Sequence, residues 1–354
     1  MAFARANGWA AIVRFGGIGD NLIAVSPAAQ LKKKGLKVEV ITSDPAWSVF
    51  EHNPHIDKLS VKSKREISTN DMLTWQQWHW GRADEYDVFV NGSHSIENLH
   101  AFVPANTPFY YPDAVRRRLA NKSYVEFMHD LAGVPYEFGP LFHASKREHE
   151  RARRTKLSMG PLVIGWCISG TRLDKIYPFS PMVIARLIRE LGVAVVMFGG
   201  MGRNFEDAKA IMDHVERQNG THRGLHLALS KSDEDQNWPI RRTLTQALHC
   251  DLVIGPDTGV MWGVAFEQIP KICLLGHASA ENITKHWINT VTLHADQARV
   301  DCYPCHRLHD KPDTCRPNKE GLAAACMSDI SAEQILTAAQ GLLTRSPRLL
   351  LAAE

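Results

Sequence analysis

Apolar positions along this chain fall into short runs that are separated by amphipathic stretches. Runs with the length of buried strands predict strands at residues 10–15, 37–42, 59–61, 86–91, 162–166, 193–198, 251–255 and 271–275. Apolar residues at helical spacing predict helices at residues 21–34, 124–131, 181–191, 204–217, 241–249, 259–267 and 331–343. This alternation is typical of βαβ units and predicts an α/β fold with mostly parallel sheets.

Two such arrays are joined by residues 146–156 (KREHERARRTK), which are charged and lack apolar periodicity. We interpret this segment as a linker between an N-terminal domain at 1–155 and a C-terminal domain at 156–330, followed by a helix and tail at 331–354. The C-terminal domain includes a cysteine-rich loop at 301–327. The pattern predicts two Rossmann-like lobes facing a central cleft, with ligands bound beyond the carboxyl ends of the strands.

Composition narrows the class of protein without identifying a partner. Hydrophobic residues make up 44% and charged residues 22% of the 354 residues, which excludes a disordered chain. The formal charge of +3 does not demand a nucleic-acid partner, although it would tolerate a phosphorylated or polyanionic one. The sequence has neither an apolar run of membrane-spanning length nor a signal-peptide cleavage pattern, so we predict a cytoplasmic protein. Its seven cysteines are then expected to be thiols or metal ligands.

A glycine-rich loop from Arg14 to Asp20 (RFGGIGD) joins the first predicted strand to the first predicted helix. Gly17 and Gly19 allow the backbone to turn sharply near a ligand, and the start of the helix offers free N–H groups. Asp20 could take a proton from a hydroxyl group as that hydroxyl attacks an anomeric carbon. Capping of the helix by Asp20 is the structural alternative. The spacing differs from the dinucleotide motif G-x-G-x-x-G, so an NAD site fits poorly.

Two further loops follow predicted strands of the second array. In the GPDTG loop, main-chain N–H groups and the Thr258 hydroxyl can hold a diphosphate, and Asp257 can bond a sugar or ribose hydroxyl. In the SGTRLDK loop, Lys175 is a mobile charge suited to a leaving nucleotide diphosphate, and Arg172 could assist it. Helix capping is the alternative for the first loop, and a basic surface loop is the alternative for the second.

In this order the three loops resemble the ADP-heptose:lipopolysaccharide heptosyltransferase family, glycosyltransferase family 9. The matching stretches are residues 14–27 (RFGGIGDNLIAVSP), 171–178 (TRLDKIYP), 255–275 (GPDTGVMWGVAFEQIPKICLL), 302–305 (CYPC) and 326–331 (CMSDIS). They follow the order of the family across nearly the whole chain.

The resemblance implies a GT-B fold and inverting transfer of a sugar from a nucleotide-diphosphate donor, without an obligatory catalytic metal. It implies that Asp20 is the general base and that Gly17 and Gly19 belong to the acceptor-side loop. The residues assigned to donor binding are Thr171, Lys175, Gly199, Gly200, Asp257, Thr258 and Gly259. A single carboxylate base suffices for such an in-line displacement, because basic groups can neutralise the leaving phosphate.

One position departs from the family pattern. After D-T-G-x-x the family usually has histidine, and this chain has Trp262. An indole donates a hydrogen bond but does not exchange a proton as an imidazole does. We expect Trp262 either to stack on a sugar or base or to pack in the core, and we do not assume that the donor sugar is heptose.

Four cysteines lie within 25 residues: Cys302, Cys305, Cys315 and Cys326. The C-x2-C spacing lets two thiolates hold one tetrahedral metal, and four would complete a structural site. We predict a four-cysteine finger with zinc as the first choice and iron as the second, because some bacterial protein heptosyltransferases similar to this group have an iron-bound finger. Free thiols and disulfides are the alternatives, and His306 or His309 could replace one cysteine ligand.

Two surface features are candidates for acceptor binding. Trp75, Trp78 and Trp80 could form an aromatic platform for a sugar or base, with core packing as the alternative. The run from Arg116 to Arg118 could meet a phosphorylated acceptor, or it could be the solvated face of a helix.

The leading hypothesis is an inverting glycosyltransferase whose first lobe binds the acceptor and whose second lobe binds the donor. The acceptor could be a lipopolysaccharide-like glycan, a protein or a modified nucleic acid. A sugar-nucleotide epimerase of the same fold is one alternative, and it would need further acid–base groups. A non-catalytic sugar-nucleotide or glycan-binding protein is the other. Trp262 favours that second alternative, and the presence of both Asp20 and Lys175 argues against it.

Overall fold

The computed structural model describes residues 7–44, 46–63, 72–92, 107–168, 172–200, 203–229, 238–308, 315 and 323–344. The chain separates into two compact units, residues 1–143 and 144–354. Each unit contains one parallel sheet with helices, as the alternating pattern predicted. In the described part of the chain, no helix combines the length and the apolar character that crossing a membrane requires.

The first unit is built on a four-stranded sheet. Its strands are β1 (Trp9–Val13), β2 (Lys37–Thr42), β3 (Lys58–Val61) and β4 (Val88–Asn91). They are all parallel and lie in the order β3-β2-β1-β4. The helices are α1 (Ile18–Ala24), α2 (Ala28–Lys33), α3 (Met72–Ala83), α4 (Asp113–Ala120) and α5 (Tyr124–Ala132), with short 3-10 helices at Ala46–Phe50 and Thr107–Tyr110. Residues 10–13 of β1 are fully buried because that strand lies between two neighbours.

The second unit is built on a six-stranded sheet. Its strands are β5 (Val163–Cys167), β6 (Ala194–Gly199), β7 (Leu225–Leu229), β8 (Leu252–Pro256), β9 (Lys271–Leu275) and β10 (Thr290–His294). They are parallel and lie in the order β10-β9-β8-β5-β6-β7. The helices are α6 (Lys146–Met159), α7 (Ser180–Leu191), α8 (Arg203–Asn219), α9 (Ile240–Ala247), α10 (Gly259–Val264), α11 (Ala280–Ile283), α12 (Ala325–Ser328) and α13 (Ala332–Thr344), with a 3-10 turn at Leu173–Lys175. This strand order is that of a doubly wound Rossmann sheet.

The helix predicted at residues 21–34 is two helices in the structure. Helix α1 begins earlier than predicted, and the chain breaks before α2 at Pro27, which has no N–H group to continue the helical hydrogen bonds. The preceding Ser26 N–H instead bonds to the Ile23 carbonyl at 3.1 Å. The apolar spacing continued through this break, so periodicity alone did not reveal it.

The charged segment that we interpreted as a linker is helix α6. Ser145 and Glu148 form a capping box at its start, with the Ser145 N–H donating to the Glu148 carboxylate at 2.7 Å. Near its other end, Lys156 pairs with Asp251 of the same unit at 2.5 Å. A domain boundary after residue 155 would therefore divide this helix. The linker interpretation was wrong because caps and ion pairs, rather than a broad apolar stripe, hold α6 in place.

Several elements were not predicted, among them two strands and the tryptophan-rich helix. Strands β7 (LHLAL) and β10 (TVTLH) lie at the two edges of the second sheet, where polar residues are tolerated in the strand. They therefore lack the continuous apolar run that marked the central strands. Helix α3 covers the tryptophan-rich segment of the first unit, which also lacks a clear apolar periodicity.

Glu148 also joins α6 to α9. Its two carboxylate oxygens accept hydrogen bonds from Nε and Nη2 of Arg241, each at 2.8 Å. Burial alone would raise the pKa of Glu148, but the hydrogen bonds from Arg241 and Ser145 lower that pKa to about 2. Because the folded-state pKa is depressed, this stabilisation is complete above the ordinary value of 4.5 and is lost as the pH falls through about 2.

We expect Glu148→Gln to lower the free energy of unfolding by about 2 kcal/mol at neutral pH, because a partly buried charged pair loses one partner. The variant should also lose less stability than the wild type between pH 4.5 and pH 2. Urea unfolding at several pH values measures both effects. Glu150→Gln, on an exposed position of the same helix, is the matched control. Equal losses in the two variants would contradict the role given to Glu148.

Candidate functional site

The predicted loops lie where the strand order of each sheet reverses. In the first sheet the RFGGIGD loop follows β1, which lies between β2 and β4. In the second sheet the SGTRLDK and GPDTG loops follow the neighbouring strands β5 and β8. At such a switch point the connections leave in opposite directions and open a crevice at the carboxyl ends of the strands. The topology thus places each predicted loop where a ligand is expected.

In the first unit, Asp20 lies in the first turn of α1 with its side chain 44% exposed. Its Oδ2 pairs with Nη2 of the buried Arg14 at 3.2 Å. Arg14 in turn donates from Nη1 to the Gly92 carbonyl at 2.6 Å, just beyond β4. The residue that caps α1 is Gly17, and Gly19 lies inside the helix. The capping alternative for Asp20 is therefore wrong, and its carboxylate is held by a buried cation at the edge of the sheet.

Asn21 fixes the glycine-rich loop around this carboxylate. Its side-chain amide donates to the carbonyls of Gly17 at 2.9 Å and Gly16 at 3.2 Å, and its oxygen accepts a bond from Thr42 at 2.8 Å. Gly16 has a φ of +108°, which favours glycine. A Cβ at Gly17 would lie 3.0 Å from Oδ2 of Asp20, so a side chain there would displace the carboxylate. Sequence reasoning missed Asn21, although its position next to Asp20 was a signal.

In the second unit, the structure brings Lys175 and Asp257 together. The Lys175 Nζ lies 3.1 Å from Oδ2 of Asp257, and Nε1 of Trp262 donates to the other oxygen, Oδ1, at 2.7 Å. The side chains of Lys175 and Asp257 are only 25% and 14% exposed. Lys175 is therefore a partly buried, paired cation, and the basic surface loop offered as the alternative is wrong for it.

Trp262 packs in the core. It is 2% exposed, and its ring meets that of Trp287 edge to face with centroids 4.9 Å apart. A ring this deeply buried has no free face for a sugar or base, so the stacking alternative is wrong. The bond from its indole nitrogen to Asp257 was not predicted.

A second buried carboxylate, Asp174, lies next to Lys175 in the chain. Nε and Nη2 of Arg172 donate to its Oδ1 at 2.9 and 2.7 Å, and Nδ1 of His277 lies 2.7 Å from its Oδ2. Burial would raise the pKa of Asp174, but His277 and Arg172 hold it well below its ordinary value. Arg172 thus pairs with Asp174, and it does not assist Lys175 in binding a diphosphate as we expected. His277 was missed, although it follows β9 at the same edge of the sheet.

The other predicted donor residues also follow strands of the second sheet. Thr258 is the N-cap of α10, but its hydroxyl makes no side-chain capping bond, and Gly259 begins that helix. Gly199 ends β6, and Gly200 follows it. Thr171 lies outside the described residues. The structure thus places Asp257, Thr258 and Gly259 at the end of β8, beside Lys175.

Gly276 is required by close packing between the loop after β9 and the turn that carries Lys175. A Cβ at this position would lie 2.0 Å from the Asp174 carbonyl oxygen. We expect Gly276→Ala to lower the free energy of unfolding by about 3 kcal/mol, because backbone rather than a flexible side chain must move. Gly341→Ala is the control, since a Cβ there meets nothing within 4 Å and the helix gains about 0.5–1 kcal/mol. Thermal unfolding measures both, and a neutral Gly276→Ala would contradict the observed packing.

The four cysteines of the predicted metal finger lie in the second unit. Burial, followed by the charges of Cys305, Asp174, Cys315 and Cys302, raises the pKa of Cys326. Among the described residues, however, no group of three or more His, Cys, Asp or Glu side chains is arranged to hold a metal ion. The four-cysteine site therefore stays a prediction. His309 lies outside the described part of the chain.

The segments that carry these cysteines pack on the loops of the candidate site. The His306 N–H donates to the His277 carbonyl at 2.9 Å, and the Tyr303 hydroxyl donates to the Ala278 carbonyl at 3.0 Å. The Ala324 N–H donates to the Leu173 carbonyl at 3.2 Å. The cysteine-rich region therefore supports the loops that present Lys175 and His277, as a structural element would.

The aromatic and arginine clusters of the first unit are divided between core and surface. Trp78 packs against Phe15 with ring centroids 6.3 Å apart, whereas Trp80 is 64% exposed. The side chain of Trp75 lies outside the described residues. On α4, Arg117 pairs with Asp113 four residues earlier at 2.7 Å, which is typical of a solvated helix face. The two described tryptophan side chains, Trp78 and Trp80, therefore do not form a continuous aromatic platform.

Comparison with solved structures defines the class of fold as GT-B, the two-domain fold of many glycosyltransferases, which confirms the prediction. No protein-family model matches the sequence, and no curated protein matches it.

Three similar structures illustrate the likeness. The chain is similar to the family 9 glycosyl transferase from Veillonella parvula DSM 2008, with a TM-score of 0.65, 17% identity, and 96% of this chain and 98% of that chain covered. For E. coli ADP-heptose lps heptosyltransferase II the TM-score is 0.62 at 14% identity, with 95% and 99% covered. For the iron-containing dodecameric glycosyltransferase TibC of enterotoxigenic E. coli H10407 it is 0.55 at 13% identity, with 95% and 76% covered. At sequence identities this low, the structural likeness shows a shared fold.

Proposed function

We propose that this protein is an inverting glycosyltransferase that moves a sugar from a nucleotide-diphosphate donor, similar to ADP-heptose, to a hydroxyl group of its acceptor. The observation that carries the proposal is the pairing of Lys175 with Asp257 at 3.1 Å at the switch point of the second sheet. Such a partly buried cation suits a diphosphate. The whole-chain likeness to the fold of heptosyltransferases supports the same conclusion.

In this proposal the acceptor binds in the first unit and the donor in the second. Asp20 takes the proton of the acceptor hydroxyl while the hydroxyl oxygen forms a bond to the anomeric carbon. The bond between that carbon and the phosphate oxygen breaks, and the nucleoside diphosphate leaves with the electron pair. Lys175 stabilises the negative charge that grows on this leaving group. The displacement inverts the anomeric centre, and it requires no metal.

For the acceptor we propose a chemical class, a molecule that presents a hydroxyl group. A lipopolysaccharide-like glycan is favoured by the heptosyltransferase likeness, which is an argument by analogy. Proteins and modified nucleic acids remain alternatives, since any of them can present a hydroxyl group to Asp20.

The proposal is tested by incubating the protein with a panel of nucleotide sugars, first by thermal shift and then by release of nucleoside diphosphate. We expect at least one donor to stabilise the protein and to be turned over when an acceptor glycan is added. An epimerase would convert the donor without any acceptor. A binding protein would be stabilised but would turn nothing over. If no nucleotide sugar stabilises the protein, the proposal is wrong.

We also propose that the four cysteines bind one structural metal ion, zinc or iron, on the strength of their spacing and of the iron in TibC. We expect elemental analysis of protein purified under reducing conditions to find about one metal ion per chain. Replacing Cys302 and Cys305 by serine should remove that metal, whereas Cys250→Ser, at a buried site outside the loop, should not. Metal-free wild-type protein would remove this part of the proposal.

A further inference from the structure

Both oxygens of the Asp257 carboxylate are engaged by protein donors. Oδ2 pairs with the ammonium of Lys175 at 3.1 Å, and Oδ1 accepts the indole N–H of Trp262 at 2.7 Å. The carboxylate is 14% exposed, so water contributes little to its solvation. Asp257 is therefore a link between a core tryptophan and the cation of the candidate donor site.

The indole donor helps to keep this mostly buried carboxylate charged. Burial favours the neutral acid, but the charges of Lys175 and His277, with the hydrogen bond from Trp262, lower the pKa of Asp257 below its ordinary value. A tryptophan N–H donates and never accepts, and it carries its proton at every physiological pH. Trp262 thus supplies a permanent neutral donor, which leaves the positive charge to Lys175.

A fixed Asp257 in turn fixes Lys175. The lysine side chain is long and flexible, and an unanchored ammonium would lose much rotamer freedom when it binds a ligand. The contact with Oδ2 occupies one of its three N–H donors and leaves two for phosphate oxygens. Lys175 is therefore oriented before a diphosphate arrives, and less entropy is lost on binding.

We infer that Trp262 is a positioning residue for nucleoside diphosphate binding, acting on Lys175 through Asp257. This inference rests on the proposed function, because it takes Lys175 as the diphosphate contact. Asp257 then serves chiefly to hold Lys175, instead of reading the hydroxyl groups of the sugar as the sequence suggested. The affinity of the site is accordingly set by the diphosphate, and Trp262, at the position where the family pattern usually has histidine, acts as a donor to the carboxylate.

The test compares the two tryptophans that meet edge to face. Trp262→Phe removes the hydrogen bond to Asp257 and keeps an aromatic ring, whereas Trp287→Phe alters the same packing contact without removing a bond to that carboxylate. Calorimetry with ADP and UDP measures the affinity. We expect Trp262→Phe to bind the responding nucleotide roughly tenfold more weakly and Trp287→Phe to stay within about twofold of the wild type.

Two further measurements separate positioning from general damage to the fold. Trp262→His restores an N–H donor near Asp257 and should recover part of the lost affinity, although it packs less well than phenylalanine. Adenosine and uridine, which lack the diphosphate, should bind Trp262→Phe and the wild type equally.

Unchanged ADP and UDP affinity in Trp262→Phe, or an equal loss in Trp287→Phe, would overturn the inference and leave the proposed function standing. A wild-type protein that binds neither these nor any other nucleoside diphosphate would overturn both.

Discussion

Replacing Asp20 by asparagine is expected to lower kcat for sugar transfer by roughly a thousandfold, the usual contribution of a general base. Asparagine has nearly the same shape, so the loop and the start of α1 should keep their structure. It cannot accept the hydroxyl proton, and it loses the ion pair with Arg14. The affinity for the nucleotide should not change, because the proposed donor site lies in the other unit. Steady-state kinetics with the responding donor, combined with calorimetry of nucleotide binding, measure these effects.

Two further variants, a control and an intermediate case, complete this experiment. Asp44→Asn changes an exposed carboxylate just beyond the end of β2, at the same edge of the sheet, and should retain nearly full activity. Arg14→Lys keeps the positive charge but loses the planar fork that bonds both Gly92 and Asp20, so an intermediate loss of about tenfold is expected. Normal turnover by Asp20→Asn would show that another group is the base.

Replacing Lys175 by methionine is expected to weaken nucleoside diphosphate binding by about 10- to 100-fold, which corresponds to one charge-assisted contact with phosphate. Turnover should fall further, because the charge on the leaving group grows in the transition state. The change also deprives the buried Asp257 of its cation, so some loss of stability is expected. Lys175→Met combined with Asp257→Asn removes that unpaired charge and should recover stability without recovering binding.

The control for this prediction is Lys209→Met, at an exposed position on α8 of the same unit. It should bind the nucleotide and turn over the donor like the wild type. The affinities for a nucleoside and for its diphosphate are measured separately, since Lys175→Met should lose affinity only for the diphosphate. A parallel loss for both ligands would indicate general damage to the site and contradict the assigned contact.

Local sequence patterns were sufficient to predict the central strands of both sheets. Strands β2 and β9 have the predicted bounds, and β1, β5, β6 and β8 lie within one or two residues of them. These strands lie inside their sheets, and all of them except β2 (KVEVIT), which Glu39 interrupts, have nearly continuous apolar sequences. The two edge strands, the proline break after α1 and the charged helix α6 were not predicted. The edge strands depend on neighbouring strands, and α6 depends on ion pairs with Asp251 and Arg241, which lie far away in sequence. The proline break is local, but the apolar spacing that continues through it concealed it.

The sequence by itself determined the α/β alternation, the order of the three loops, and the residue types at their centres, Asp20, Lys175 and Asp257. It determined these because strand and helix periodicity and the chemistry of a single side chain are local properties. The partner that each side chain takes depends on its surroundings in the folded chain. Only the tertiary structure decided that Arg14 holds Asp20, that Arg172 belongs to Asp174, and that Trp262, read from the sequence as a departure from the family pattern, donates to Asp257. Each of these three contacts lies within a single loop or between a loop and the helix that follows it, where the sequence offers several possible partners. The contact between Lys175 and Asp257, in contrast, joins two loops that the neighbouring strands β5 and β8 bring together.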